Sequence, residues 1–542
     1  MSLRLRWAAV AACLTAGATL GQAAYGQADL ESAFDYTQTQ APLSAKLPEL
    51  GRLHEAVDQS AGDVSLTGCC EPSCEAGCDC ADDVGCGDCC GIGCGGCGGK
   101  KKAGKPSPCQ TSHKGLYFAN DFSYLNDPCY DGCCLGDSFK QLPIGCGKVD
   151  IGGQLRLRQH SEQGMGHPGQ LGFQDTDEDF LLTRLRLYTN WQVNDWARIF
   201  VEGIFADNAN DADFVPRPID ENFGDFLNLF ADVKVTDTTT LRVGRQELLY
   251  GAQRHISPLD WANTRRTFEG VSMLYKGDDW KVDGFYTNFV PVDPNELDEG
   301  DWDRRFYGVY ATYTGAKTAS YDLFYIGFDD DRPLGSALPG SRDFSVHTFG
   351  GRLFGGKGQW LWDMEGAYQT GRQSGLGLDH RAAMCTLGCG RKIDAPWSPT
   401  FWVYWDWASG DNGEGAFNRY NQLFPLAHKY LGFADFVARS NVNSPNCLLT
   451  MKPSSKWTLL CWYYYIGADL GSDIIPGVAT NTVPIQNTTS DDWGHELDLI
   501  ARYQIVPRSN ILFGYSNVWA GDKIVDPKSD ANFFYTQWEL NF

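Results

Sequence analysis

Arginine recurs in this chain at two-residue spacing, Arg156 with Arg158 and Arg184 with Arg186. A guanidinium is permanently charged, and its planar fork matches a carboxylate. Residues two apart on a strand point the same way, so each pair would set two forks on one face. The plainer reading pairs each arginine with a nearby Asp or Glu. Three aspartate groups, Asp175–Asp179, Asp329-Asp330-Asp331 and Asp411 beside Gly410 and Asn412, could hold Ca2+ at loops; solvated loop charge is the alternative. No other cofactor is expected. Nucleophilic chemistry would need a Ser, Cys or Thr with a His base. The nine histidines come with no G-x-S-x-G, no HExxH and no phosphate loop, which argues against an enzyme.

The elements that carry these arginines read as strands. Ile151, Leu155 and Leu157 alternate with Gln154, Arg156, Arg158 and His160; Leu185, Leu187 and Trp191 alternate with Arg184, Arg186, Tyr188 and Asn190. Such segments of about 10 residues recur to the C-terminus, with a polar face and an apolar one. Short turns (Asn194-Asp195, Thr236–Thr239, Gly277-Asp278, Gly315–Thr318, Gly355–Lys357, Pro507-Arg508) alternate with long stretches such as Gly251–Arg266, Gly410–Lys429 and Gly471–Asp492. The pattern predicts an all-β, transmembrane antiparallel barrel of about 18 strands, with short periplasmic turns and long outer loops. The last strand, Ala531–Phe542, sets Phe534, Thr536, Trp538, Leu540 and Phe542 on one face. It should pair with the first, near Val149–His160, and its final aromatic resembles the signal read by barrel-assembly machinery. A propeller would show a repeat near 40 residues, and none is found.

Residues 1–28 read as a secretory signal peptide: Arg4 and Arg6, an apolar Trp7–Leu20, and a cleavage site at Gly26-Gln27-Ala28. Residues 29–114 form a low-complexity Cys/Gly-rich segment, 115–148 a Cys-containing pre-barrel segment and 149–542 the barrel. Ten of the 20 cysteines fall between Cys69 and Cys97. That stretch has almost no apolar residue for a core and reads as disordered or disulfide-rich, with a metal site at Cys86-x-x-Cys89 and Cys94-x-x-Cys97 as second reading. Removal of Cys13 with the signal leaves an odd number, which keeps a crosslinking cell-surface role open for the tail. A net charge of −23 excludes a bulk nucleic-acid binder. The expected location is the outer membrane, with the lipid bilayer as partner. Aromatics at 13% suit its interfacial girdles.

The densest segment is Leu241–Val271. Its elements Arg242-x-Gly244-Arg245-Gln246-Glu247-Leu248, Tyr250-Gly251, Arg254, Pro258-x-Asp260-Trp261 and Arg265-Arg266-x-Phe268-x-Gly270 resemble the signature of the alginate-export outer-membrane barrel family. A second block also resembles that family: Trp407–Asp411, Gln422–Pro425, His428, Tyr430–Gly432 and Ala434-Asp435. The cysteine-rich N-terminal part is more similar to planctomycete-type members. The resemblance implies a barrel that passes an anionic, alginate-like polysaccharide through an arginine-rich constriction. Candidate lumen residues are Arg156, Arg158, Arg184, Arg186, Arg242, Arg245, Arg254, Arg265, Arg266, Arg304, Arg305 and Arg352, with Glu247, Asp260 and Glu269 as supporting acids. Rings of arginine select anions in pores. Arg242 and Arg245, three apart, would share a face only if Gly244 marks a bulge. Pro258-x-Asp260-Trp261 is read as the start of a loop folded into the lumen, with Trp261 either packing or stacking on sugar. The rival reading is a general porin for small anions or oligosaccharides.

Overall fold

The computed structural model describes residues 108–127, 130, 134–167, 170–209, 216–478 and 483–542. Residues 1–28, read as a signal peptide, and the cysteine-rich run Cys69–Cys97 lie outside these. Alternation of apolar and polar side chains builds the strands: a short β1 (Leu142–Ile144), then β2 (Gly147–Gln163), β3 (Asp177–Gln192), β4 (Ala197–Asn208), β5 (Asn222–Lys234), β6 (Thr239–Gln246), β7 (Thr267–Lys276), β8 (Trp280–Val290), β9 (Asp301–Tyr313), β10 (Ala319–Asp330), β11 (Phe344–Lys357), β12 (Trp360–Gln373), β13 (Leu378–Lys392), β14 (Thr400–Ala408), β15 (Val442–Met451), β16 (Trp457–Ala468), β17 (Asp492–Val506), β18 (Ser509–Ala520) and β19 (Ala531–Asn541). From β2 onward each strand pairs antiparallel with the next, and β19 pairs back to β2, with Tyr535 opposite His160. The result is a closed barrel of 18 strands, with no lateral edge left for lipid to solvate. Phe542 continues the seam by exchanging two 3.0 Å backbone hydrogen bonds with Gly153.

The two faces obey the alternation. Outward residues such as Leu187, Val243, Met273, Val309, Leu323, Phe349, Val403 and Phe534 are exposed and apolar, as a lipid-facing band must be. Trp191, Trp196, Trp280, Trp360, Trp397 and Phe401 are also exposed. All six sit at the end of the barrel where the connections are short, and they form one interfacial girdle. That end is periplasmic. Its turns are as tight as residues 358–359 and 507–508. The expected turn at Gly355–Lys357 is instead the end of β11, and the chain reverses two residues later. At the other end run the long connections, among them 247–266, 409–441 and 469–491.

The interior is not open. Buried aromatics from the wall (Phe285, Phe306, Tyr310, Phe324, Phe328) pack with Tyr250, Ile256, Trp261, Phe424 and Leu426 from two of the long loops. These loops, 247–266 and 409–441, are called the first and second crossing loops below. As the sequence around Pro258 suggested, the first is folded into the lumen.

Candidate functional site

Inward parity places Arg156 and Arg158 on β2, Arg184 and Arg186 on β3, Arg242 on β6 and Arg352 on β11 inside the barrel, each at most 5% exposed. β11 is the ninth strand on from β2 in a ring of 18, so the first four and Arg352 stand on opposite walls. The first crossing loop bridges them. On the near wall its backbone carbonyls accept from the arginines. Arg156 donates to the Asp260 carbonyl at 2.7 Å and to Ala262 at 3.1 Å. Arg158 donates to Trp261 at 2.8 Å, with its guanidinium 3.6 Å from the Trp261 ring centre. Arg184 donates to the Asp260 carbonyl at 3.1 Å and to its carboxylate at 2.9 Å. On the far wall Arg254 is held by Asp363 at 2.6 Å and Glu365 at 2.8 Å, both on β12. Arg352 shares Asp363 at 2.8 Å, and His255 shares Glu365 at 2.9 Å.

The second crossing loop locks the first in place. Ser257 N donates to Phe424 O at 2.9 Å, Phe424 N to His255 O at 3.0 Å and Leu426 N to Gln253 O at 2.8 Å. The His428 ring stacks on Trp261 with centroids 3.4 Å apart and planes 4° from parallel, which settles Trp261 as a packing residue in this state. Arg439 anchors the second loop to Asp406 at 2.6 Å, and the Ala434 amide donates to Glu496 at 2.8 Å. Gln253, Leu259 and Arg265 in the first loop, and Leu423, Leu431, Asp435 and Asn441 in the second, all have positive φ. Non-glycine residues hold that conformation at a cost of about 1–3 kcal/mol each, only where their surroundings dictate it.

Charge in the loop is matched closely. Burial alone would depress the pKa of Arg254, but Asp363 and Glu365 outweigh it and hold it above the ordinary arginine value. Arg266 has no carboxylate partner of that kind. It donates to the carbonyls of Ser257 and Pro425, and burial pulls its pKa down to about 9, still charged at neutral pH. Arg265 binds Glu247 and Asp260. Glu247 also lies 3.6 Å from Arg186, whose main partner is Glu202 at 2.6 Å. Arg242 pairs with Asp232 at 2.8 Å.

Arg245 shares the outward face with Leu241 and Val243, because the register runs unbroken through Gly244. The expected bulge is absent. Arg245 pairs there with Glu269 at 2.6 Å and with Asp225 at 3.0 Å. Arg305 is outward as well, opposite Asp329 and 2.8 Å from Asp331. Arg304 points inward at the outer end of β9 and pairs with Asp301 at 2.6 Å. Four of the aspartates read as calcium ligands are otherwise engaged: Asp329 and Asp331 with Arg305, Asp330 with Arg332 at 2.6 Å, and Asp411 as acceptor from the Asn418 amide. Among the described residues no group of three or more His, Cys, Asp or Glu is arranged to hold a metal ion.

The alginate export family model matches residues 148–533. This chain belongs to the alginate export family. Similar solved structures give the same fold: the outer membrane protein OpdK of Pseudomonas aeruginosa aligns with a TM-score of 0.51 at 11% identity, over 72% of this chain and 98% of that one. An improved structure of the same P. aeruginosa protein, OccK1 (OpdK), aligns at 0.50 and 11% identity, again over 72% and 98%. No curated protein matches. As an alginate export family barrel, the protein resides in the outer membrane in contact with the bilayer, and its role is that of a channel, not an enzyme. What sequence reading missed in this alginate export barrel is its acidic half. Asp363 and Glu365 share the parity of the buried Leu361, Ala367 and Gln369, so the alternation that found the arginines could have found them. Asp406, which shares the parity of the buried Trp402 and Tyr404, was overlooked in the same way, whereas Glu202 and Asp232 read correctly as members of the polar face of β4 and β5.

Proposed function

We propose that this protein passes an anionic, alginate-like polysaccharide across the outer membrane by diffusion, the direction of export being set by supply from the periplasm. The observation that carries this reading is the near wall, where Arg156 and Arg158 donate to neutral carbonyls of one loop and Arg184 divides its bonds among that loop's carbonyls, the Gln154 side chain and the Asp260 carboxylate. A carboxylate makes a stronger, charge-assisted bond to a guanidinium than a carbonyl does. A polyuronate, with one carboxylate per sugar, would therefore compete well for these forks once the loop withdraws. Arg254 and Arg352 would offer the next sites across the lumen. Several such sites in series allow movement without a trap.

In this reading the crossing loops are the outer gate, residues 1–28 are the export signal, and the Phe542 terminus is read by the barrel-assembly machinery. The test is planar-bilayer conductance. Anion selectivity with current block by polyuronate is expected. Cation selectivity without block would refute the polysaccharide reading. Anion selectivity without block would favour the small-anion porin.

A further inference from the structure

The pre-barrel residues turn back into the barrel. Tyr117 lies under Arg186, with the guanidinium 4.1 Å from the ring centre, and its hydroxyl donates to Asn541 at 2.6 Å. Phe118 packs edge-on against Phe200 and Phe230 and lies 4.3 Å from the Arg242 guanidinium, while its carbonyl accepts from Arg198 at 2.7 Å. Deeper still, the Gly115 carbonyl accepts from Arg265 of the first crossing loop at 3.5 Å. Below, Arg508 in the last periplasmic turn donates to Ser112 at 3.0 Å and pairs with Asp137 at 3.3 Å. Lys140 is buried and donates to the Ile151 carbonyl. A disulfide between Cys109 and Cys134 closes the whole segment into a ring.

We propose that residues 108–127 and 134–140 form a built-in periplasmic plug, latched by the Cys109–Cys134 bond, whose release opens the inner half of the lumen and uncovers Arg186 and Arg242 for anionic cargo. Three features support this. The segment is joined to the wall by side-chain contacts and not by sheet pairing, which begins only after it at β1, so it can leave without breaking the barrel. Tyr117 and Phe118 cover two of the inward arginines, so the segment masks charge as well as space. The disulfide ties the start of the segment to its end, and a ring has fewer ways to peel out of a socket than a linear strand. It rests on the channel reading, but salt conductance tests it without any polymer, so it can fail while polyuronate block succeeds, and the reverse.

The experiment uses the full chain in planar bilayers, in KCl, with hydrogen–deuterium exchange on the same preparations. One sample is the double variant C109S/C134S. The second is wild-type protein reduced with dithiothreitol after insertion, which avoids any folding defect of the variant. A further pair carries R254A, to loosen the outer loop. The plug predicts that unlatching raises exchange across residues 108–140 by about tenfold or more while β2 to β6 stay protected. It predicts that conductance in the R254A background rises at least twofold, with higher anion selectivity. Unchanged exchange would show that the bond is no latch. Faster exchange spread through the strands would make it a structural staple. Local loosening without a change in conductance would show that the segment does not obstruct the lumen. Any of these three results overturns the proposal.

Discussion

Arg254 is the point on which the far-wall attachment of the first crossing loop turns. Replacement by alanine leaves Asp363 and Glu365 buried with one cation fewer. Removing one partner of a buried ion pair costs about 3–5 kcal/mol, mainly through the charge left behind. Here Arg352 remains 2.8 Å from Asp363 and His255 remains 2.9 Å from Glu365, so the lower end, about 3 kcal/mol, applies. At 1.4 kcal/mol per factor of ten, the detached loop becomes roughly 100-fold more populated. Hydrogen exchange reads this directly at Ser257 and Leu426, whose amides bond across the two loops. Both should exchange about 100-fold faster in R254A, while the ladder between β11 and β12 keeps its protection. The companion variant D363N should produce a smaller effect in the same amides, because its amide oxygen still accepts from Arg254. Acceleration below about fivefold would refute the assignment, since the loop would then be held by its hydrophobic contacts and not by this cluster.

The outward position of Arg245 predicts that R245E leaves anion selectivity unchanged, whereas R352E, on the lumen side, lowers it; bi-ionic reversal potentials separate the two. Leu323 lies mid-strand on the lipid face and is 57% exposed, so L323R should cost about 2–4 kcal/mol in denaturant unfolding from vesicles. The same change at Leu297, exposed in the outer connection between β8 and β9, should fall within about 0.5 kcal/mol of wild type. His113 in the plug has its pKa well below the usual imidazole value, through burial first and then Arg508, Lys140 and Lys114; the Phe542 carbonyl opposes. The folded plug therefore binds fewer protons there than the unfolded segment. Plug stability should be full above the unfolded value of about 6.5 and should fall as pH drops below it. Exchange in residues 108–140 at pH 5 against pH 7.5 measures the loss, and H113Q should flatten the profile.

Alternation made the barrel legible. Strand positions, closure of β19 on β2, and the inward arginines of β2, β3, β6 and β11 all follow from a period of two. It failed where that period ends. Arg245, three residues from Arg242, could share its inward face only through a bulge at Gly244, yet Gly244 sits in regular register. A residue counted with Leu241 and Val243 had to face outward. The crossing loops carry no period, so alternation could mark Asp363, Glu365 and Asp406 as inward but could not say that these loops would meet them; only Pro258-x-Asp260-Trp261 gave a hint of an inward path. The plug was least visible. Tyr117 and Phe118 stand among polar and cysteine residues with no pattern, and the socket that receives them is built from strands as distant in sequence as β3 and β19.

That distance has a consequence for assembly. Beside the Phe118 pocket on β4 to β6, the socket is made by Arg508 before β18, Asn541 on β19, Ile151 on β2 and Arg186 on β3. These groups come together only at the junction where the last strand meets the first. The plug is thus among the first barrel-docking residues to be synthesised and is bound to be among the last to settle. Until the seam zips, Tyr117 has no Asn541 to bond and Asp137 no fixed Arg508. A seated plug is a report that the cylinder has closed, and an unlatched one in newly made protein would mark molecules still open along their side.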